Sequence, residues 1–308
     1  MNVRDIVRKA WQITQVHIKK LIWYGFAPAF FGVIVSSAYL GYQYNAFKHS
    51  VLTESGPSDV LGTVRTVWSM VAGHPTLSII AIVIGIIVVL GYILTPPIFR
   101  GILINALMKI KKYESIEGSV EVGVRHFFPM FEFALITGSF SITTLFTESS
   151  FVLRWWGENI FFMILPVLLF VAMAGIIISL LFTYSEYFII LEGKGVIQSL
   201  MESTILVIAN LKKTILVFVL MMLIGARIIL NVLLVLLIPM MVVIASSYFA
   251  TIFLSTFGFI VISIFGFIIL IVSSYLLGLF HIFATAVWVL TFAQLREIGG
   301  GADSSDGE

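Results

Sequence analysis

Long apolar runs separated by short, charge-bearing segments make up most of this chain. Six runs are each long enough for the ~20 residues that carry a helix across ~30 Å of hydrocarbon. They cover residues 21–42, 77–98, 127–147, 160–188, 214–236 and 268–292. The runs are continuously apolar rather than alternating, which predicts spanning helices and argues against a barrel. The expected fold is therefore all-α: a polytopic membrane helix bundle, one domain over residues 1–297. From 214 to 292 the apolar stretch is longer than two spans need, and Pro239 with Ser246-Ser247-Tyr248 marks a break. Residues 239–267 read as a re-entrant piece, as extensions of the flanking spans, or as an extra span; the expectation adopted is six spans.

Helical periodicity with one apolar side marks four further segments as interfacial helices. In residues 3–18, Val3, Ile6, Val7, Ala10 and Trp11 form a stripe, and Arg4, Arg8 and Lys9 lie off it. The competing reading is an extension of the first span packed on its neighbours. In residues 59–72, Ser58 caps the start, Gly73 and Pro75 supply the stop, and Trp68 suits a headgroup depth. Residues 99–112 follow Pro96-Pro97, keep apolar spacing through Leu103, Leu107 and Ile110, and end at Lys111-Lys112. In residues 196–211, Val196, Ile197, Leu200, Met201, Ile208 and Leu211 line one side. Gln198, Ser199, Glu202 and Ser203 line the other, which is expected to face the cytoplasm.

Charge sets the expected orientation. With the N-terminus inside, fourteen Lys and Arg fall on inner segments, among them Lys19, Lys20, Lys111, Lys112, Lys212 and Lys213. Only Lys48, Arg65 and Arg154 fall outside. The bias predicts a cytoplasmic N-terminus, and six spans then return the C-terminus to the same side. Only 11% of residues are charged, against ~25% in soluble domains, and mean hydropathy is +1.10. A net charge of +2 without a basic, aromatic-interleaved patch argues against nucleic acid as a partner. There is no cysteine, which excludes disulfides and thiol catalysis. Residues 298–308, IGGGADSSDGE, have the composition of a disordered tail.

Ionisable residues inside apolar runs are candidate sites. Arg227 and Asn231, four apart in the fifth run, share a helix face and form a candidate contact for an anionic headgroup or solute. The competing reading has Arg227 snorkelling to the outer interface. Glu132 and Glu186 lie near inner span ends, as candidate proton carriers or as local partners of Arg100 or Arg125. His281 sits in the last run, as a titrating group or a packing residue. Ser274 and Gly278 form a small-xxx-small pair, for a dimer face or for packing within the chain. No nucleophile, phosphate-loop or metal signature accompanies these residues, so no catalytic residue, cofactor or metal is expected.

Three short motifs carry a family resemblance. They are Ala10-Trp11; Gly101-Ile102-Leu103 with Asn105-Ala106; and Glu192-Gly193, Gly195-Val196, Ser199-Leu200 and Ser203. The chain, over about residues 5–297, resembles polytopic proteins related to the membrane domain of glycerophosphoryl diester phosphodiesterase and the YciC-like proteins. The resemblance implies six helices and a prokaryotic cytoplasmic membrane, and most such proteins have no assigned activity. Phosphodiesterase catalysis is not carried over, because it belongs to a separate barrel of ~250 residues. The expected function is a non-enzymatic scaffold, assembly or lipid-organising component, with membrane lipids, anionic ones included, as partners. A transporter of small or lipid-like anionic solutes is the first alternative and a lipid enzyme the second. A homo-oligomer or a membrane-protein partner is left open.

Overall fold

The computed structural model describes residues 3–47, 75–228, 230–231 and 256–300. The expected helix 59–72, the break around Pro239 and residues 301–308 lie outside them. All regular structure among the described residues is helical. The elements are α1 (Val3–Phe47), α2 (Pro75–Lys111), α3 (Ser119–Arg125), α4 (Phe127–Gly138) and α5 (Ile142–Leu181). They continue with α6 (Ser185–Glu192), α7 (Val196–Ala209), α8 (Leu211–Ile228) and α9 (Thr256–Gly300).

Four helical stretches are long and apolar enough to cross a membrane, and a fifth if the bent pair α7–α8 is one span. Their surroundings agree with lipid as solvent. On α2, Ile79, Ile80, Ile84, Val89 and Tyr92 fall on different sides of the helix, and all are exposed. Such a helix is stable only where the solvent itself is apolar. The chain is a membrane-embedded helical bundle.

The residues expected as interfacial helices before and after spans are continuous with them. Helix α1 contains both 3–18 and 21–42, and runs through Pro28. Its 45 residues reach ~68 Å at 1.5 Å per residue, about twice the hydrocarbon thickness. Helix α2 likewise carries 99–112 straight on through Pro96 and Pro97. The extension reading is thus the one the structure adopts for the N-terminal segment. Ile6 and Ala10 explain it, since both are buried against neighbouring helices.

The third expected span, 127–147, is interrupted. Helix α4 stops at Gly138, residues 139–141 turn, and Ser141 caps α5 by accepting from the Thr144 N–H at 3.2 Å. Within α5, Gly157 has φ 82° and ψ 172°, a conformation suited to glycine. A Cβ on Gly175 would lie 3.0 Å from the Phe140 carbonyl oxygen. Two legs of roughly 22 and 27 Å, by helical rise, join these points through Gly157. They meet only if the chain doubles back there. The first leg therefore continues the direction of α4 and the second runs back, ending at Leu181, so the expected run 160–188 is broken before α6 at Ser185.

Packing is concentrated at the end of the bundle that carries the clustered lysines, called here the basic end. Leu103, Ile104 and Leu107 of α2, Tyr187 to Ile190 of α6, Val207 of α7 and Ile282, Val287, Leu290 and Leu295 of α9 form one core there. Phe292 lies 5.1–6.1 Å, ring centre to ring centre, from Tyr184, Tyr187 and Phe188. Trp11 meets Phe283 edge-on at 5.7 Å, joining α1 to α9. At the opposite end two polar ties join described residues. Tyr39 and Thr147 share a hydrogen bond of 2.6 Å, and Arg154 reaches the Tyr42 hydroxyl at 3.4 Å.

Helices α1 and α9 form the most extensive pair. They cross backbone to backbone at Gly25 and Gly278: a Cβ on Gly278 would sit 2.8 Å from the Phe26 nitrogen. The small pair Ser274–Gly278 thus packs within the chain, with Ser274 fully buried. Gly278→Leu or Gly25→Leu should lower the midpoint of thermal unfolding in detergent, at an overpacking cost of about 1–3 kcal/mol or more. Gly32→Leu, with open space around it, should leave the midpoint in place.

Candidate functional site

Three of the candidate residues converge. Arg100 follows Pro96-Pro97 on α2. Glu186 lies in the first turn of α6, where the helix N-terminus favours an anion. His281 and Thr285 sit one turn apart on α9, just past the Gly278 crossing. Arg100 Nε donates to Glu186 Oε2 at 2.7 Å, and Arg100 Nη1 donates to Thr285 Oγ1 at 3.0 Å. Thr285 in turn donates to the His281 carbonyl at 2.7 Å. The ion pair is largely buried, at 22% and 19% side-chain exposure. The neighbouring Tyr187 hydroxyl is buried without a hydrogen-bond partner among the described residues.

Arg100, Glu186 and His281 line a cleft of about 370 Å³. Its walls are apolar, formed by Pro96, Pro97, Met130, Phe133 and Ala134. Thr137, Gly138 and Ser141, at the break between α4 and α5, close one side. His281 is exposed into this space, and its ring makes no hydrogen bond to a described residue. Arg100, itself a lining residue, uses Nε and Nη1 internally and retains further guanidinium N–H donors. The arrangement can hold a polar head with an acyl-like body. Among the described residues no three His, Asp or Glu side chains gather as a metal site would require.

The other candidates stand apart. Glu132 is exposed on the opposite face of α4 from Met130 and Phe133. Arg227 and Asn231 are exposed at the far end of α8 and do not line the cleft.

A second polar cluster at the basic end was not among the expected sites. Glu192 pairs with Arg296 at 2.7 Å and with Lys194 at 2.6 Å. Lys194 also pairs with Glu202 of α7. Phe188 lies beneath both cations, 5.0 Å from Lys194 and 5.3 Å from Arg296. The cluster ties α6, α7 and α9 together. The signal was present in the sequence as E-G-K-G, in which Gly193 at φ 67° turns the chain so that Lys194 folds back over α6. The hydrogen bond from Lys194 is the main cause holding the Glu202 carboxyl below its ordinary pKa. For Lys194, burial opposes the charge, but Glu192 and Glu202 outweigh it and push the pKa up.

Comparison of the chain with family models, with curated proteins and with solved structures returns no match.

Two measurements probe these clusters. Arg100→Met and Glu186→Met should each destabilise strongly, by on the order of 3 kcal/mol, because each strands a buried charge. The double variant should regain much of that loss in a double-mutant cycle on thermal unfolding. For the second cluster, Glu202 has a lowered folded pKa. Its contribution is therefore present above the ordinary carboxylate range, near pH 4.3, and lost as pH falls through the lower folded value. Lys194 has a raised folded pKa, so its contribution persists until well into the alkaline range. Acidification from pH 5 to 3 should thus lower the unfolding midpoint of the native chain more than that of Glu202→Gln.

Proposed function

We propose that this chain is a non-enzymatic, lipid-organising protein of the prokaryotic cytoplasmic membrane. It crosses six times, counting the two legs that meet at Gly157 separately, with both termini in the cytoplasm. The inward bias of lysine and arginine supports that orientation, as does the shared basic end of α1, α2 and α9. The short motifs that resemble the phosphodiesterase membrane-domain and YciC-like proteins fit the same setting.

One observation carries the functional reading: the Arg100–Glu186 ion pair, held from behind by Thr285, lines a largely apolar cleft together with His281. A volume of about 370 Å³ lies within the usual range for ligand pockets. A phospholipid fits this chemistry, with its headgroup phosphate against the free Arg100 N–H groups and His281, and an acyl chain along Pro97 and Phe133. The ion pair is satisfied internally, so it favours binding over turnover. Exposure of Arg227 and Asn231 supports a lesser role for them, as contacts to headgroups at the opposite rim.

A transporter is the second reading. Its support is the broken helix α4–α5, whose residues Thr137, Gly138 and Ser141 line the same cleft; discontinuous helices commonly flank transport sites.

Ala134→Trp fills the cleft without touching the ion pair. Native mass spectrometry of the purified variant should show at least a several-fold loss of co-purifying phospholipid, with an unchanged unfolding midpoint. Retained phospholipid would reject the cleft as a lipid site. Protein-dependent release of a trapped anionic solute from vesicles, abolished by Ala134→Trp, would establish the transporter reading instead.

A further inference from the structure

Helix α7 has its faces arranged against the expectation from its sequence. Ser199 and Ser203 were expected to face water, yet both are fully buried together with Val196 and Val207. Ser203 explains why. Its hydroxyl donates to the Leu181 carbonyl at 2.6 Å and accepts from the Tyr184 N–H at 3.0 Å. It thereby satisfies backbone groups left open where α5 ends and α6 begins. Small serine side chains also let α7 lie close against the bundle.

The outward surface is divided in two. Ile197, Met201, Ile205 and Ile208 form a stripe at helical spacing, each between 62% and 65% exposed. Gln198 and Glu202 occupy the adjoining flank. Glu202 accepts from Gln198 at 3.2 Å and is tied to Lys194. Turning α7 about its axis to bury the stripe would break the Ser203 bonds and the Lys194 tie, so the orientation is held from two sides.

The stripe does not end with the helix. Across a bend of 102°, α8 leaves almost at right angles, and Ile215, Leu216, Val219 and Leu223 continue the exposed apolar surface along it. Lys212 and Lys213 stand at the elbow. A helix that crosses the bilayer and one perpendicular to it, sharing one apolar surface, define a membrane boundary.

We propose that α7 lies in the plane of the membrane at the basic end. Its Ile197–Met201–Ile205–Ile208 stripe is immersed among acyl chains, its Gln198–Glu202 flank is in water, and its serine face is on the bundle. Lipid is the occupant because the stripe is continuous with the lipid-facing side of α8, and because the flank charges and the elbow lysines mark where water begins. This inference is independent of what fills the Arg100 cleft.

The absence of native cysteine makes the test direct. Single variants Ile197→Cys, Met201→Cys, Ile205→Cys, Ile208→Cys and Gln198→Cys are spin-labelled. They are reconstituted in vesicles of phosphatidylethanolamine and phosphatidylglycerol. Power saturation with oxygen, which concentrates in lipid, and with a water-soluble nickel chelate then reads the environment of each label. The four stripe positions should favour oxygen over nickel, and position 198 should show the inverse. Nickel access at the stripe would overturn the proposal by placing it in water. Exclusion of both reagents there would overturn it by showing a protein cover, and spin–spin broadening would identify that cover as a second copy.

Discussion

The backbone contact between Gly25 and Gly278 is the constraint on which the rest of the bundle depends. Membrane helices gain little from burying apolar surface in an apolar solvent, so close van der Waals approach has to hold them. Two facing glycines let α1 and α9 approach without side chains between them. From that crossing, His281 and Thr285 follow within two turns on α9, and Leu21 and the stretch to Ile6 follow on α1. The pair thus sets His281 at the Arg100 cleft and supplies a large part of the core of the basic end.

Different physics dominates the two ends of the molecule. At the basic end, aromatic rings, buried aliphatics and charge-assisted hydrogen bonds come together in one core. Elsewhere the described helices expose long apolar surfaces and meet at small residues such as Gly25 and Gly278 and at polar ties. Concentrating the polar groups at one end is economical. Ion pairs there sit where water begins, and the hydrocarbon region carries few charges to desolvate.

The helical, membrane-embedded character was legible in the apolar runs, because bilayer thickness imposes a length that sequence displays directly. Arg100, Glu186 and His281 were legible one at a time, as polar residues in apolar surroundings. Their convergence was not, because it depends on the helix break before α6 and on the glycine crossing, neither of which has a periodic signature. Helix α7 shows a different limit. A polar and an apolar side were visible, but serine reads as hydrophilic by composition. Ser203 is buried at little cost because its hydroxyl meets backbone groups that need a partner. Gly157 lies between the runs 127–147 and 160–188, among Arg154, Glu158 and Asn159, where the pattern of runs already called for a change of direction.

The pairing of α1 with α9 has a consequence for biogenesis. Roughly two hundred residues separate the two helices, so the ribosome delivers one long before the other. The glycine face of α1 must wait in the bilayer, unpaired, while the intervening segments are inserted. Assembly is therefore bound to close late, and a nascent chain halted before its last helix would present that face to whatever insertion factor or neighbour is at hand.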